Sequence, residues 1–387
     1  MIKTISDFIN PVKTDYYNLP DYKGKDLLFS EVNFYNPKKS EELPKKIDIA
    51  IIGISEDRNS SHPGSSYAPA EIRKELYKLY ASSKINIVDF GNIKNGKTVK
   101  DTYFAITEVI YELLKKEIIV IVLGGSKDLF FPICNAYEKG SKNFSLCVAE
   151  PKFSLKQEGE VFNDTNYLTE IIEKNTKLFN YTNLGYQTYY NSSSSINYIH
   201  QKYEALRLGL SRTDLRVNEP YIRDADIFGI DLAAIKKTDA PGVIPCSIHG
   251  YYGEEICQLA KYAGLSDRTS VLGIFNLNPT VDINNQTAEL SAQIIWHVIQ
   301  GIAYRTNEIP CNTSDKFRRY IVKVSGINQN INFIKSLKTG RWWYEIIHKT
   351  KKEEKYKYIS CSFEDYIKAS GDEIPERWWK FYKKLFL

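Results

Sequence analysis

Apolar residues in this chain gather into short, β-branched, nearly unbroken runs at residues 47–53, 85–89, 118–124, 144–149, 227–231 and 270–275. A run without polar alternation predicts a strand buried on both faces, the environment of a parallel sheet. Between the runs, apolar positions recur at helical spacing over 70–79 (opened by Pro69), 102–116, 164–173, 253–263 and 287–302. Strand alternating with helix predicts an α/β fold: a three-layer, doubly wound, mainly parallel sheet. Ligands bind such sheets beyond the carboxyl ends of the strands. Polar residues gather at five of those ends: Glu56, Asp57 and Arg58 with a loop holding His62, Pro63 and Gly64; Gly124 to Asp128; Glu150 to Ser154; Asp231; and Asn276 to Pro279.

The pattern changes near Ser314. From there the chain is dense in Trp, Tyr, Lys and Phe, with strand-like runs at 320–324, 341–347 and 358–361 and helical patterns from Phe363 and around Pro375. The expected organisation is an N-terminal extension over 1–45, a main α/β domain over 46–312, and a Trp-rich extension over 313–387 packed on that domain.

Composition narrows the classes. At 387 residues and 43% hydrophobic, the chain supports a large core and excludes disorder. Its net charge of +5 comes from 52 basic and 47 acidic residues, too even a balance to point to nucleic acid. The one dense basic run, 349–357, is interrupted by Glu353 and Glu354 and reads as a solvated surface. The six cysteines (Cys134, Cys147, Cys246, Cys257, Cys311, Cys361) form no metal spacing and read as free thiols of a reducing compartment. The first residues lack the apolar core of a signal peptide, and no stretch reaches the roughly 18 apolar residues of a membrane span. These features predict a cytoplasmic protein. The basic, aromatic stretch 376–387 raises the question of surface contact with a membrane, and the reading adopted is that it makes none.

Several motifs, in order, resemble the ureohydrolase family of arginase, agmatinase and formimidoylglutamase. Gly53, Pro63-Gly64 and Ala68-Pro69-Ala70-Glu71-Ile72-Arg73 are similar to its first strand, substrate loop and first helix. Asp89-Phe90-Gly91 is similar to its D-x-G turn, and Asn278-Pro279 with Asp282 to its N-P-x-x-D. The resemblance spans about 47–302. Arg341-Trp342-Trp343, the stretch from Cys361 to Tyr366, and Pro375 to Trp379 resemble a formimidoylglutamase-like subgroup of Bacteroidota.

The family resemblance implies two Mn²⁺ ions held by two His and four Asp in three motifs, activating a hydroxide. Here G-G-D-H-S reads Gly124-Gly125-Ser126-Lys127-Asp128, and D-A-H-x-D reads Glu150-Pro151-Lys152-Phe153-Ser154. The third motif aligns without gaps to 229–242, where Asp231 keeps the first ligand, Ala233 removes the second, and Lys236 replaces the next Asp. Ala240-Pro241-Gly242 is intact. None of His62, His200, His249, His297 and His348 falls at a ligand position. An ammonium has donors and no lone pair to give. The expected cofactor is therefore none, and Lys127 and Lys152 are expected to pair with Glu150 and Asp231 in a salt-bridge cluster where metals would sit.

Around this degenerate site (Lys127, Glu150, Lys152, Ser154, Asp231, Ala233), His62, Glu255 and Asn278 are candidates for a residual substrate-like pocket. Glu254 is a rival for Glu255. For each, a capping or solvated role is the plain alternative. No G-x-S-x-G elbow or G-x-G-x-x-G loop is present. A Schiff base on Lys127 or Lys152 needs a lowered pKa. The Trp342-Trp343 and Trp378-Trp379 pairs are either a partner surface or a pin for the extension.

The leading expectation is a catalytically inactive pseudoenzyme, a scaffold or regulatory subunit with a protein partner. The alternatives are a formimino or guanidino hydrolase with an altered site, and a small-ligand sensor. The subgroup resemblance implies a place beside gliding and type 9 secretion motor components. The family resemblance also implies a homo-oligomer.

Overall fold

A computed structural model describes residues 5–14, 22, 24–38, 43–81, 85–308, 310, 315–327, 329–349 and 354–386. The chain divides into two compact units. One comprises Met1–Leu215 and Ala225–Arg305, the other Arg216–Asp224 and Thr306–Leu387.

Among the described residues, ten strands form the sheet of the first unit. They are β1 (Ile9–Asn10), β2 (Asn33–Phe34), β3 (Ile49–Ile54), β4 (Ile87–Ile93), β5 (Ile119–Leu123), β6 (Phe144–Ala149), β7 (Leu178–Tyr186), β8 (Glu204–Arg207), β9 (Ile227–Asp231) and β10 (Val271–Phe275). Their order is β1-β4-β3-β5-β10-β9-β6-β7-β8, with β2 beside β4. Only β1 runs antiparallel to its neighbour. The β-branched runs make the central strands because both their faces are covered: all six residues of β3 and of β6 are buried.

The helices pack in two groups, which gives three layers. Val99–Leu114, Phe130–Lys139 and Tyr167–Lys174 form one; Ala68–Leu76, Gly253–Leu265 and Gln286–Ala303 form the other. Thr98 and Asp101 close a capping box at the start of Val99–Leu114, satisfying its first amides. Gly264 lets Gly253–Leu265 approach its neighbour closely, since a Cβ there would lie 2.4 Å from the Val298 carbonyl oxygen.

The six strands expected from apolar runs all form, with ends shifted by a few residues. β7 was hidden because its polar residues are buried: Asn180 and Thr182 both reach the Glu204 carboxylate on β8, at 2.8 and 3.4 Å. Helix Phe130–Lys139 was hidden by Pro132, which sits in the first turn, where a missing amide is tolerated.

The second unit holds an antiparallel meander, β11 (Phe317–Lys323), β12 (Asn330–Ser336), β13 (Trp342–Lys349) and β14 (Glu354–Cys361), followed by helices Phe363–Ser370 and Glu376–Phe386. Trp342 and Trp343 are buried within it. Trp342 stacks on Tyr366 at 4.9 Å, and the Arg223 guanidinium lies 4.4 Å from the Trp343 ring. Arg223 also donates to the carbonyls of Trp342 (3.1 Å) and Cys361 (3.4 Å). Asp224 accepts from the Ser360 amide (3.0 Å) and from Arg377 (2.8 Å). These bonds make Arg216–Asp224 part of the unit.

Trp378 and Phe381 are buried, so the apolar face of the last helix is covered. Among the described residues no helix is long and apolar enough to cross a membrane. Cys134, Cys147, Cys257 and Cys361 are buried and Cys246 is half-buried, and these five are outside any disulfide. Cys311 and residues 350–353 of the basic run lie outside the described residues.

Candidate functional site

The order β5-β10-β9-β6 brings four strand ends side by side. From them project Lys127, Asn276, Asp231 and Glu150. After β5 the chain turns through Gly124-Gly125 into the one-turn helix Lys127–Leu129. Gly125 is required there, because a Cβ would lie 2.0 Å from the Glu56 carbonyl oxygen. The Ser126 amide donates to that same oxygen at 3.2 Å, which fixes the turn.

The turn delivers Lys127 Nζ between two carboxylates, 2.5 Å from Glu150 Oε1 and 3.1 Å from Asp231 Oδ2. Both acids are buried and their remaining acceptors are filled. Glu150 receives Ser154 Oγ at 2.5 Å and the Tyr167 hydroxyl at 3.0 Å. Asp231 Oδ1 receives the Ala233 amide and Asn276 Nδ2, each at 2.9 Å. Unpaired, these carboxylates would be strongly destabilising at this depth.

Two acids share one ammonium, so the cluster holds its protons tightly. Burial opposes the charge of Lys127, but Asp231 and Glu150 outweigh it and hold its pKa well above that of a free lysine. Burial pushes the Glu150 carboxyl up, Lys127 pulls it back, and Asp231 pushes it up again, leaving it raised. A lysine fixed as ammonium is not a nucleophile, so the geometry removes Lys127 as a Schiff-base candidate.

Lys152 does not join the cluster, contrary to the expectation that both lysines would. It is exposed, while its neighbours Pro151 and Phe153 are buried. Phe153 packs on Tyr186 at 5.0 Å, and its amide donates to Asn191. This anchoring turns residue 152 outward. Ser154 and Tyr167 occupy the Glu150 oxygens in its place.

Ala233 is buried and contributes only its amide. The Lys236 ammonium lies 5.0 Å from the Tyr252 ring. His62 is exposed on its loop. Glu255 takes the Arg212 guanidinium at 2.8 Å and caps its helix through the Tyr252 amide at 2.9 Å. Asn278 donates to the Pro63 carbonyl and accepts from Thr280, holding two loops together. None of His62, Glu255 and Asn278 bonds to the cluster.

Sequence reasoning missed Tyr167, which reads as an ordinary core aromatic in a helical pattern. It also passed over Asp128. That carboxyl is buried without a cation and accepts from the Ser126 and Tyr103 hydroxyls. Burial pushes its pKa up to about 6 against the pull of those hydroxyls.

Comparison with known proteins accords with this frame. The model of the arginase family matches residues 47–300. The formimidoylglutamase of Staphylococcus haemolyticus is 24% identical over 287 residues, 70% of this chain and 92% of that protein. The crystal structure of formimidoylglutamase from Bacillus subtilis superposes with a TM-score of 0.67 at 18% identity, over 76% of this chain and 99% of that one. A Trypanosoma cruzi formiminoglutamase structure with Mn²⁺ gives 0.63 at 18% identity, over 72% and 99%. The chain belongs to the arginase family and has a formimidoylglutamase-like fold.

The residues present do not fit the family's pair of Mn²⁺ ions. Of the strand-end donors, the two acids already share an ammonium, which repels a divalent ion at contact distance. Serine, asparagine and alanine complete the shell. Mn²⁺ selects carboxylate and imidazole ligands.

Proposed function

We propose that this protein is a non-catalytic arginase-family member, acting as a scaffold or regulatory subunit for a protein partner. The observation that carries the reading is the Lys127 ammonium bridging Glu150 and Asp231, which supplies a fixed positive charge to both buried acids. A fold can persist while its chemistry is lost, because stability at these strand ends needs the carboxylates neutralised and not a metal in particular.

The formimidoylglutamase relatives favour a second reading, a hydrolase of formimino or guanidino compounds with an altered site. One experiment separates the two. Purified protein is loaded with Mn²⁺, its metal content is measured, and release of formamide or urea is followed. The scaffold reading expects no stoichiometric metal and no release. Bound metal with turnover would establish the hydrolase instead. Thermal stabilisation by a formimino compound without turnover would favour a ligand sensor.

A further inference from the structure

We propose that the second unit takes an extended, acidic polypeptide segment of a partner as an added strand along the outer edge of β11. The proposal names the partner chemistry of the scaffold reading and rests on that reading for its purpose, not its geometry.

The sheet lies beyond the stretch that matches the family. The family match ends at residue 300, and the Bacillus subtilis enzyme is 99% covered by only 76% of this chain. Charge is also concentrated there. Thr306–Leu387 carries 17 Lys and Arg against 10 Asp and Glu, a net of +7, while the whole chain carries +5. The rest of the molecule is therefore slightly acidic, and the modest overall charge conceals a basic unit.

The two edges of the sheet differ. Along β14, Asp224 takes the Ser360 amide and Arg377 donates to the Ser360 carbonyl at 2.6 Å, so that edge is capped at Ser360 from within the unit. Along β11, the Lys316 carbonyl accepts the Leu337 amide at 2.9 Å. Antiparallel alternation then turns the amides and carbonyls of Ile321 and Lys323 away from β12. No partner for those outward groups is found among the described residues.

Side chains set which strand fits. Arg318, Ile321 and Lys323 are exposed, Ile321 by 63%. A second copy of β11 would place like charges opposite one another, which opposes self-pairing. An acidic strand with apolar residues meets both the charges and Ile321, and its backbone completes the ladder. A nucleic acid fits less well. Its phosphates cannot match alternating amides and carbonyls, and Trp342, Trp343 and Trp378 are buried and offer no stacking platform.

The test uses the full chain and a fluorescein-labelled decapeptide of alternating Glu and Val, read by fluorescence anisotropy. Binding is expected to fall at least tenfold in the R318E/K323E double variant, whose altered side chains are exposed. It is expected to fall as far for wild-type protein with a probe of the same charge N-methylated on every residue, which has no amide donor on either edge and cannot extend a ladder. Equal affinity for the methylated probe, tighter binding of an oligothymidylate of equal length, or no peptide binding would each overturn the proposal. Mn²⁺-dependent turnover in a sample that still binds peptide would overturn the scaffold reading alone; absent binding in a sample without turnover would overturn this inference alone.

Discussion

Two buried ionic clusters in the first unit solve one problem differently. Within β4, Arg73 meets Asp89 one to one, Nε at 2.7 Å and a second nitrogen at 3.0 Å, with the Gly91 amide and the Tyr77 hydroxyl completing the acid. At the ends of β5, β6 and β9, one ammonium serves two acids, and hydroxyl and amide donors make up the difference. The first pair is charge-balanced and bidentate, the geometry guanidinium is suited to. The second retains an excess of negative charge. It is a binding site's worth of acids held by the least cation that keeps them buried. The comparison teaches that a bidentate guanidinium neutralises one buried acid by itself, whereas a lysine shared by two acids needs hydroxyl and amide donors beside it.

The sharpest way to break the comparison is Arg73→Leu. It strands Asp89 in the core and is expected to destabilise by roughly 4 kcal/mol, read from the urea midpoint. Lys127→Met should cost about 3 kcal/mol, with part regained in a Glu150→Gln background. A loss under about 1 kcal/mol would mean that the acids do not depend on that ammonium.

Asp128 is raised to about 6 in the folded chain, so between its ordinary carboxylate value and pH 6 the native state holds a proton the unfolded state has released. Its contribution, at most roughly 3 kcal/mol, is present below about pH 4 and lost as pH rises through 6. Glu150 shifts in the same direction. Asp128→Asn should therefore reduce, without abolishing, the drop in Tm between pH 5 and pH 7. The smallest effect is expected of Lys152→Met. Within about 0.5 kcal/mol of wild type, it would mark the exposed lysine as a bystander; a loss near that of Lys127→Met would reunite the two lysines.

Much of this was legible in the chain. The central strands announce themselves because burial on both faces demands unbroken β-branched runs. Lys127, Glu150 and Asp231 could be set on neighbouring strand ends from their motifs. Other features depend on tertiary geometry. Lys152 points outward because Pro151 and Phe153 are buried, which spacing does not encode. Asn276 reaches Asp231 from a left-handed backbone (φ 71°) just beyond β10. Tyr167 bonds Glu150 from a helix whose pattern gives it no distinguishing mark.

Arg216–Asp224, which includes the short helix Glu219–Arg223, has bonding partners far along the chain. That distance gives the discontinuous second unit a schedule. Asp224 finds Ser360 136 residues later and Arg377 153 residues later. At a synthesis rate of roughly 5–20 residues per second, on the order of ten seconds pass before the ribosome delivers them. The arginase-like sheet, complete at β10, has time to close first. The segment waits on the nascent chain with Asp224 still short of Ser360 and Arg377, so the second unit is the last part of the molecule to mature.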